Sequence, residues 1–359
     1  MKVAIIFGTR PEIIKMSPVI KECQARGIDY FLVHSGQHYS YELDKIFFEE
    51  LEIKGKIYNL EVGSGTHGKM TAKIIEGCET IFMDEKPDVI LVEGDTNTVL
   101  GAALAASKLK ILIGHIEAGL RSYDRNMPEE TNRIITDHIS DFCFAPTELA
   151  SNNLKKEGIN GKIFITGNTI VDALLNLKGI SEKKSNILEN LGLVPANYIL
   201  VTAHREENVD QKEKLRNILK ALEMISSEFN YKIIFSLHPR TKKKIEEFDL
   251  DLPKGVRFII PVGYLDFMKL ESNAKLIITD SGGIQEEACI LQIPCVTIRE
   301  NTERPETIDV GANILAGTDP RKIFEGVKIM INMKKEWINP FGDGKSSEKI
   351  INILQKRLK

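Results

Sequence analysis

A chain of 359 residues, 42% hydrophobic and 28% charged, has the composition of an ordinary globular protein and a length close to two domains. Its net charge of −3 gives no global bias toward nucleic acid or membrane, and its five cysteines, without a CxxC pair, argue for reduced, mostly buried thiols over a disulfide framework. No apolar run nears the ~18 residues of a membrane span. With a first strand beginning at Lys2 there is no room for a signal peptide, so a cytoplasmic protein is expected.

Short apolar runs alternate with helical stretches along the chain. VAIIFG is followed by the amphipathic EIIKMSPVIKECQARG; DYFLVHSG, DVILVEGD, ILIGHIE, FCFAPT and KIFITGN complete the strands of the first half. Polar, helical segments at 168–196 join the halves. The second half then reads YILVTAH, the helix QKEKLRNILKALEMISSEF, YKIIFSLHP, GVRFIIPV, AKLIITDSG and IPCVTIRE. Strands buried on both faces and interleaved with helices imply parallel sheets with right-handed crossovers. The expected fold class is therefore α/β, with two doubly wound Rossmann-like domains facing a cleft, over 1–170 and 171–344. A last helix at 345–359, with candidate Ser caps, is expected to pack back on the N-terminal domain.

Ligands of open α/β sheets gather beyond the carboxyl ends of the strands, so the residues there carry the functional argument. In GTRPEIIK, Pro11 fits an early helical position, and Arg10 and Lys15 read equally as phosphate contacts or as surface charges at a helix start. In TDSGGIQEEA a strand runs into Ser281, Gly282 and Gly283 and then a helix, a geometry that lets an anion approach backbone N–H groups; Ser281 also reads as a plain helix cap. Glu287 lies about a turn and a half into that helix, within reach of sugar hydroxyls.

Other patterns fail on inspection. VGSGTHGKMT carries GxGxxG and a lysine, but Met70 stands where a phosphate-binding loop needs Ser or Thr, and Asp88 precedes the next strand, so a flexible loop is the better reading. YELDK lacks the glycine turn that dehydrogenases with that spacing need. His115 and Glu117 form HxE without the PCxxC of a zinc deaminase, and HExxH is missing. No metal and no cofactor are expected, and the KKK at 242–244 reads as a solvated helix face. What remains is acidic: Asp95 and Glu117 at strand ends, Glu129 in MPEET, and His204 closing YILVTAH, all natural acid/base groups. Glu130 and Asp124 read instead as partners of the local arginines.

Taken in order, GTRPEIIK, SGQHY, EGDTNT, HIEAGLRS, MPEETNR, TGNTIVDAL, TAHREEN, DSGGIQEEA and NTERPE resemble the non-hydrolysing UDP-N-acetylglucosamine 2-epimerases, which have the glycosyltransferase-B architecture. The resemblance covers about residues 3 to 317. It implies reversible conversion of UDP-GlcNAc to UDP-ManNAc through a 2-acetamidoglucal and UDP, a homodimer, and a place in polysaccharide precursor synthesis, with neither nucleic acid nor membrane as partner. By that resemblance Asp95, Glu117 and Glu129 handle protons at the sugar and His204 faces the diphosphate. Arg10, Lys15, Ser281, Gly282 and Gly283 would hold phosphates and adjoining groups. Phe267, Glu287 and Arg304 would serve the nucleotide, and Gln37, Arg205 and His238 match effector contacts. A hydrolysing 2-epimerase releasing ManNAc and UDP, a UDP-sugar glycosyltransferase, and a non-enzymatic nucleotide-sugar sensor are the alternatives.

Overall fold

The computed structural model describes residues 1–36, 48, 51 and 53–358. Gln37 and the YELDK segment at 41–45 lie outside the described residues. The chain divides into two compact units, 1–173 together with the segment from Phe341 onward, and Leu174–Pro340.

The first unit is built on a seven-stranded parallel sheet in the order β3-β2-β1-β4-β5-β6-β7. Its strands are β1 (Lys2–Phe7), β2 (Asp29–His34), β3 (Lys56–Asn59), β4 (Val89–Glu93), β5 (Leu112–Ile116), β6 (Phe142–Ala145) and β7 (Lys162–Ile165). Central β4 is buried at every position, as a strand covered by helices on both faces must be. The second unit repeats the plan with β8 (Tyr198–Thr202), β9 (Lys232–Ser236), β10 (Val256–Ile259), β11 (Leu276–Thr279), β12 (Cys295–Thr297) and β13 (Asn313–Leu315), in the order β10-β9-β8-β11-β12-β13. Both are doubly wound α/β sheets whose strand order reverses beside the first strand, between β1 and β4 and between β8 and β11.

Two edge strands, β3 and β13, have no counterpart in the sequence reading. Each is short, and β3 is exposed or only half-buried along its length, so neither produces an apolar run. The glycine-rich stretch near 63–69 is also corrected: the loop ends at Thr66, and a helix begins at His67. The last helix, Ser346–Arg357, belongs to the first unit, but its serines are not its caps. The backbone N–H groups of Ser346 and Ser347 donate to Asp172, at 3.1 and 2.9 Å, so a carboxylate distant in sequence satisfies the helix start. All five cysteines are free and buried, and burial pushes the Cys23, Cys78, Cys289 and Cys295 thiols up to about 12.

Candidate active site

In the first unit the switch point is closed by Glu12, on the first turn of the helix Arg10–Ala25. Its Oε2 accepts the N–H groups of Gly8 and Thr9 at 2.9 and 2.7 Å, and its Oε1 accepts the Thr96 hydroxyl at 2.7 Å. One carboxylate thereby ties the loop after β1 to the loop after β4. A Cβ at Gly8 would come within 2.2 Å of both Ser35 Oγ and Thr98 Oγ1, so any larger residue displaces this hydroxyl pair.

Behind this turn lies a buried cluster. Lys15 turns inward, its Nζ bonded to Glu117 Oε2 and 3.0 Å from Glu93 Oε1. Asn168, just beyond β7, brings its Nδ2 to 3.3 Å from the same Glu117 oxygen. Glu117 is 6% exposed and has a φ of 68°, a left-handed backbone that a glutamate rarely adopts. Such a conformation costs on the order of 1–3 kcal/mol and persists only where the surroundings enforce it. Next to it Gly119, at φ 86°, leaves no room for a side chain: a Cβ would sit 2.3 Å from the Ala150 carbonyl oxygen.

Asp95, beyond β4, is gripped by Arg133, whose Nε and Nη2 donate to its Oδ2 at 3.0 and 2.6 Å. Arg133 also binds Glu130 at 2.6 Å, and Glu130 collects the N–H groups of Ser122 and Tyr123 at 2.9 Å each. Glu130 is thus the partner of a local arginine, as its sequence context suggests. Asp124 is not: it accepts from Asn126 at 2.9 and 3.1 Å and shapes a turn. Glu129, on the first turn of the helix Pro128–Ile139, is half-buried and has no hydrogen bond or ion pair among the described residues. Its carboxylate is available to a ligand. His115 is held on both ring nitrogens, by Asp137 at 2.7 Å and by the Gly94 carbonyl at 2.8 Å, so it braces the turn between Glu93 and Asp95.

In the second unit His204 follows β8 and Asp280 follows β11, on either side of the strand-order reversal. The buried Asp280 carboxylate faces His204 Nδ1 at 3.2 Å and accepts the Arg205 backbone N–H at 3.0 Å. The His204 side chain is 41% exposed and its Nε2 makes no bond among the described residues, leaving that nitrogen as a proton donor or acceptor. The His238 ring lies 5.5 Å from that of His204, and burial together with the neighbouring imidazole lowers its pKa.

Ser281 caps the helix Gly282–Ile290, accepting the Ile284 N–H at 3.5 Å. The two glycines that follow have no internal reason to be glycines. A Cβ on Gly282 would meet nothing nearer than Glu303 Oε2 at 3.5 Å, and one on Gly283 nothing nearer than Ser281 Oγ at 3.9 Å. The first-turn backbone N–H groups and the helix dipole suit an anion. Glu287, on the same helix, approaches the Tyr264 hydroxyl at 3.5 Å. Phe267 packs on the apolar cluster of the second unit. Arg304 is buried against Glu286 at 2.8 Å.

Several contributors escape sequence reading. Glu93, Asn168 and Arg133 matter through contacts to Lys15, Glu117 and Asp95, and Asp280 is hidden inside a motif whose visible signal is its glycines. Among the described residues no group of His, Cys, Asp and Glu is arranged to hold a metal, and no helix is long and apolar enough to cross a membrane.

Known proteins share the sequence family and the fold over nearly the whole chain. The family model described as UDP-N-acetylglucosamine 2-epimerase matches residues 21–355. The UDP-N-acetylglucosamine 2-epimerase of Methanocaldococcus jannaschii is 56% identical, over 99% of both chains. A crystal structure of the enzyme from that organism, in complex with UDP-GlcNAc and UDP, has a TM-score of 0.92 and covers 99% of this chain and 100% of its own. Acinetobacter baumannii MurG, at 13% identity and a TM-score of 0.57 over 99% of each chain, shares the fold alone. With two Rossmann-like units of the glycosyltransferase-B class, the chain is an isomerase belonging to the UDP-N-acetylglucosamine 2-epimerase family.

Proposed function

We propose that this protein interconverts UDP-GlcNAc and UDP-ManNAc by elimination and re-addition of UDP. The reading is carried by Glu117, a carboxylate fixed in a left-handed backbone at the end of β5 between Lys15 and Asn168. A strained, oriented acid at the ligand edge of a sheet suits proton transfer at carbon better than it suits fold stability.

The chemistry follows from the substrate. Cleavage of the C1–O bond sends its electron pair to UDP and leaves positive charge at C1, which acidifies the C2–H. A carboxylate takes that proton, giving 2-acetamidoglucal; return of a proton to the opposite face and re-addition of UDP at C1 give the epimer. The reaction sequence involves no net oxidation or reduction, so no redox cofactor is required. Asp95, Glu117 and Glu129 serve the sugar, and His204 serves the departing diphosphate through Nε2. Arg10, Ser281, Gly282 and Gly283 bind phosphate and adjoining groups. Lys15, buried against two carboxyl groups, acts by holding Glu117. Phe267, Glu287 and Arg304 serve the nucleotide, with Arg205 and His238 as effector contacts. The protein works as a homodimer in the cytoplasm, a reducing setting that suits five unpaired, buried thiols, and supplies a precursor for polysaccharide.

Incubation of the pure protein with UDP-GlcNAc in D2O, followed by proton NMR, tests the reaction. UDP-ManNAc carrying deuterium at C2 is the expected product. Free ManNAc with UDP would move the protein to hydrolytic chemistry, and epimer formed with retention of the C2 proton would rule out exchange through a solvent-accessible carboxylate.

A further inference from the structure

Glu93 ends β4, is 2% exposed, and places Oε1 3.0 Å from Lys15 Nζ. The same ammonium is bonded to Glu117, so two buried carboxyl groups share one cation. They are not equivalently supported. Glu117 has a further donor in Asn168, whereas Glu93 Oε1 is sealed from solvent and receives no aligned hydrogen bond among the described residues. A further charged neighbour is Glu12, on the helix that carries Lys15, and its oxygens are already occupied by Gly8, Thr9 and Thr96. Across β5, His115 is committed to Asp137 and the Gly94 carbonyl. One ammonium and one side-chain amide serve two buried carboxyl groups, an arrangement that favours a proton retained between them.

We propose that Glu93 is a resident carboxylic acid, protonated in the resting protein and donating its O–H to the Glu117 carboxylate. Glu93 is then a positioning residue: it keeps Glu117 ionised and aimed. Burial, opposed by Lys15 but reinforced by Glu117 and Glu12, holds the Glu93 carboxyl well above the usual carboxylate range. As pH rises, Glu93 loses its proton to solvent, two anions face one ammonium, and the donor to Glu117 is gone. The role at the sugar rests on the epimerase reading; the protonation state does not.

Two measurements separate the ideas. In infrared difference spectra at neutral pH, the parent protein shows a protonated-carboxyl C=O band that Glu93→Gln removes. In epimerase kinetics, Glu93→Ala loses about tenfold or more in kcat, equivalent to at least ~1.4 kcal/mol. Glu93→Gln, a neutral donor that cannot ionise, rescues most of that loss and abolishes the alkaline limb of the kcat–pH profile. A parent spectrum with no protonated-carboxyl band overturns the inference without recourse to any variant, as does an alkaline limb unchanged in Glu93→Gln. A band lost in Glu93→Gln from a protein that does not epimerise UDP-GlcNAc upholds the inference and overturns the functional reading instead.

Discussion

The Asp280 carboxylate accepts the backbone N–H of His204 at 3.1 and 3.0 Å and lies 3.2 Å from that residue's ring Nδ1. The pairing fixes the proton on Nδ1 and leaves Nε2 as the working nitrogen. Burial pushes the Asp280 carboxyl up, but hydrogen bonds from the His204 ring and from the backbone of 204 and 205 outweigh it and hold the group below the usual range. Asp280→Asn keeps the shape but offers an amide to the ring, which favours the wrong tautomer. Steady-state kinetics should show kcat reduced by about 10²-fold or more, the usual scale for losing a positioned acid or base, with UDP affinity by calorimetry nearly unchanged. Parallel loss of UDP affinity and rate would assign Asp280 to binding.

The glycines at 282 and 283 separate folding from ligand binding. Neither has a positive φ, both lie in the first turn of a helix, and an added methyl meets only ordinary contacts. Gly→Ala within a helix is worth roughly 0.5–1 kcal/mol in favour of the folded state. Gly283→Ala should therefore raise the melting temperature slightly while weakening UDP binding, because the methyl occupies the approach to the backbone N–H groups. A variant that gains stability and binds UDP as well as its parent would remove the anion site from this helix.

Much of this was legible in the sequence, for a physical reason. Strands buried on both faces, such as β1, β4 and β8, read as near-continuous apolar runs, and the residues just past them inherit the ligand edge of the sheet. Asp95, Glu117, His204 and the Ser281–Gly283 turn are singled out that way, and in the fold each follows a strand end. The edge strands β3 and β13 are short and not continuously apolar, so they leave little mark. Pairings are a different matter: Lys15 with Glu93 and Glu117, Asp172 at the start of the last helix, and Asp280 with His204 join distant segments. A lysine near a helix start reads as a phosphate contact until the fold turns it inward. The arginines of the 121–133 segment divide similarly: Arg133 steadies Asp95, whereas Arg121 is spent on Asp137 and Glu157, at 2.7 and 2.6 Å.

Gly119 sets the position of Glu117 through the backbone. Its φ of 86° strains any side chain, and the 2.3 Å approach of a Cβ to the Ala150 carbonyl oxygen leaves no room for one. The left-handed conformation alone costs about 1–2 kcal/mol for an L-residue, and the clash is with backbone that cannot rotate away. Gly119→Ala should lower stability in urea denaturation by more than ~2 kcal/mol. Because the displaced segment carries Glu117, the folded fraction should also lose activity. A folded variant with parental kcat would show that the Glu117 backbone is set elsewhere.

A buried acid beside Glu287 gives the stability of the second unit a pH dependence of defined sign. Glu271 is fully buried, and desolvation, then the charge of Glu287, hold its carboxyl well above the usual range. Below about pH 4, the range in which an ordinary glutamate is protonated, the acid is neutral in both folded and unfolded chains and costs nothing. As pH rises past that range the unfolded chain ionises first, so stability drains away until the folded-state value is reached. Glu271→Gln is neutral throughout and retains a donor for Glu287. The variant should melt higher than its parent at pH 8, with the gain vanishing near pH 4. A gain of equal size at both values would mean that packing, not protonation, distinguishes the two side chains, and a loss at pH 8 would mean that Glu271 is ionised in the folded protein.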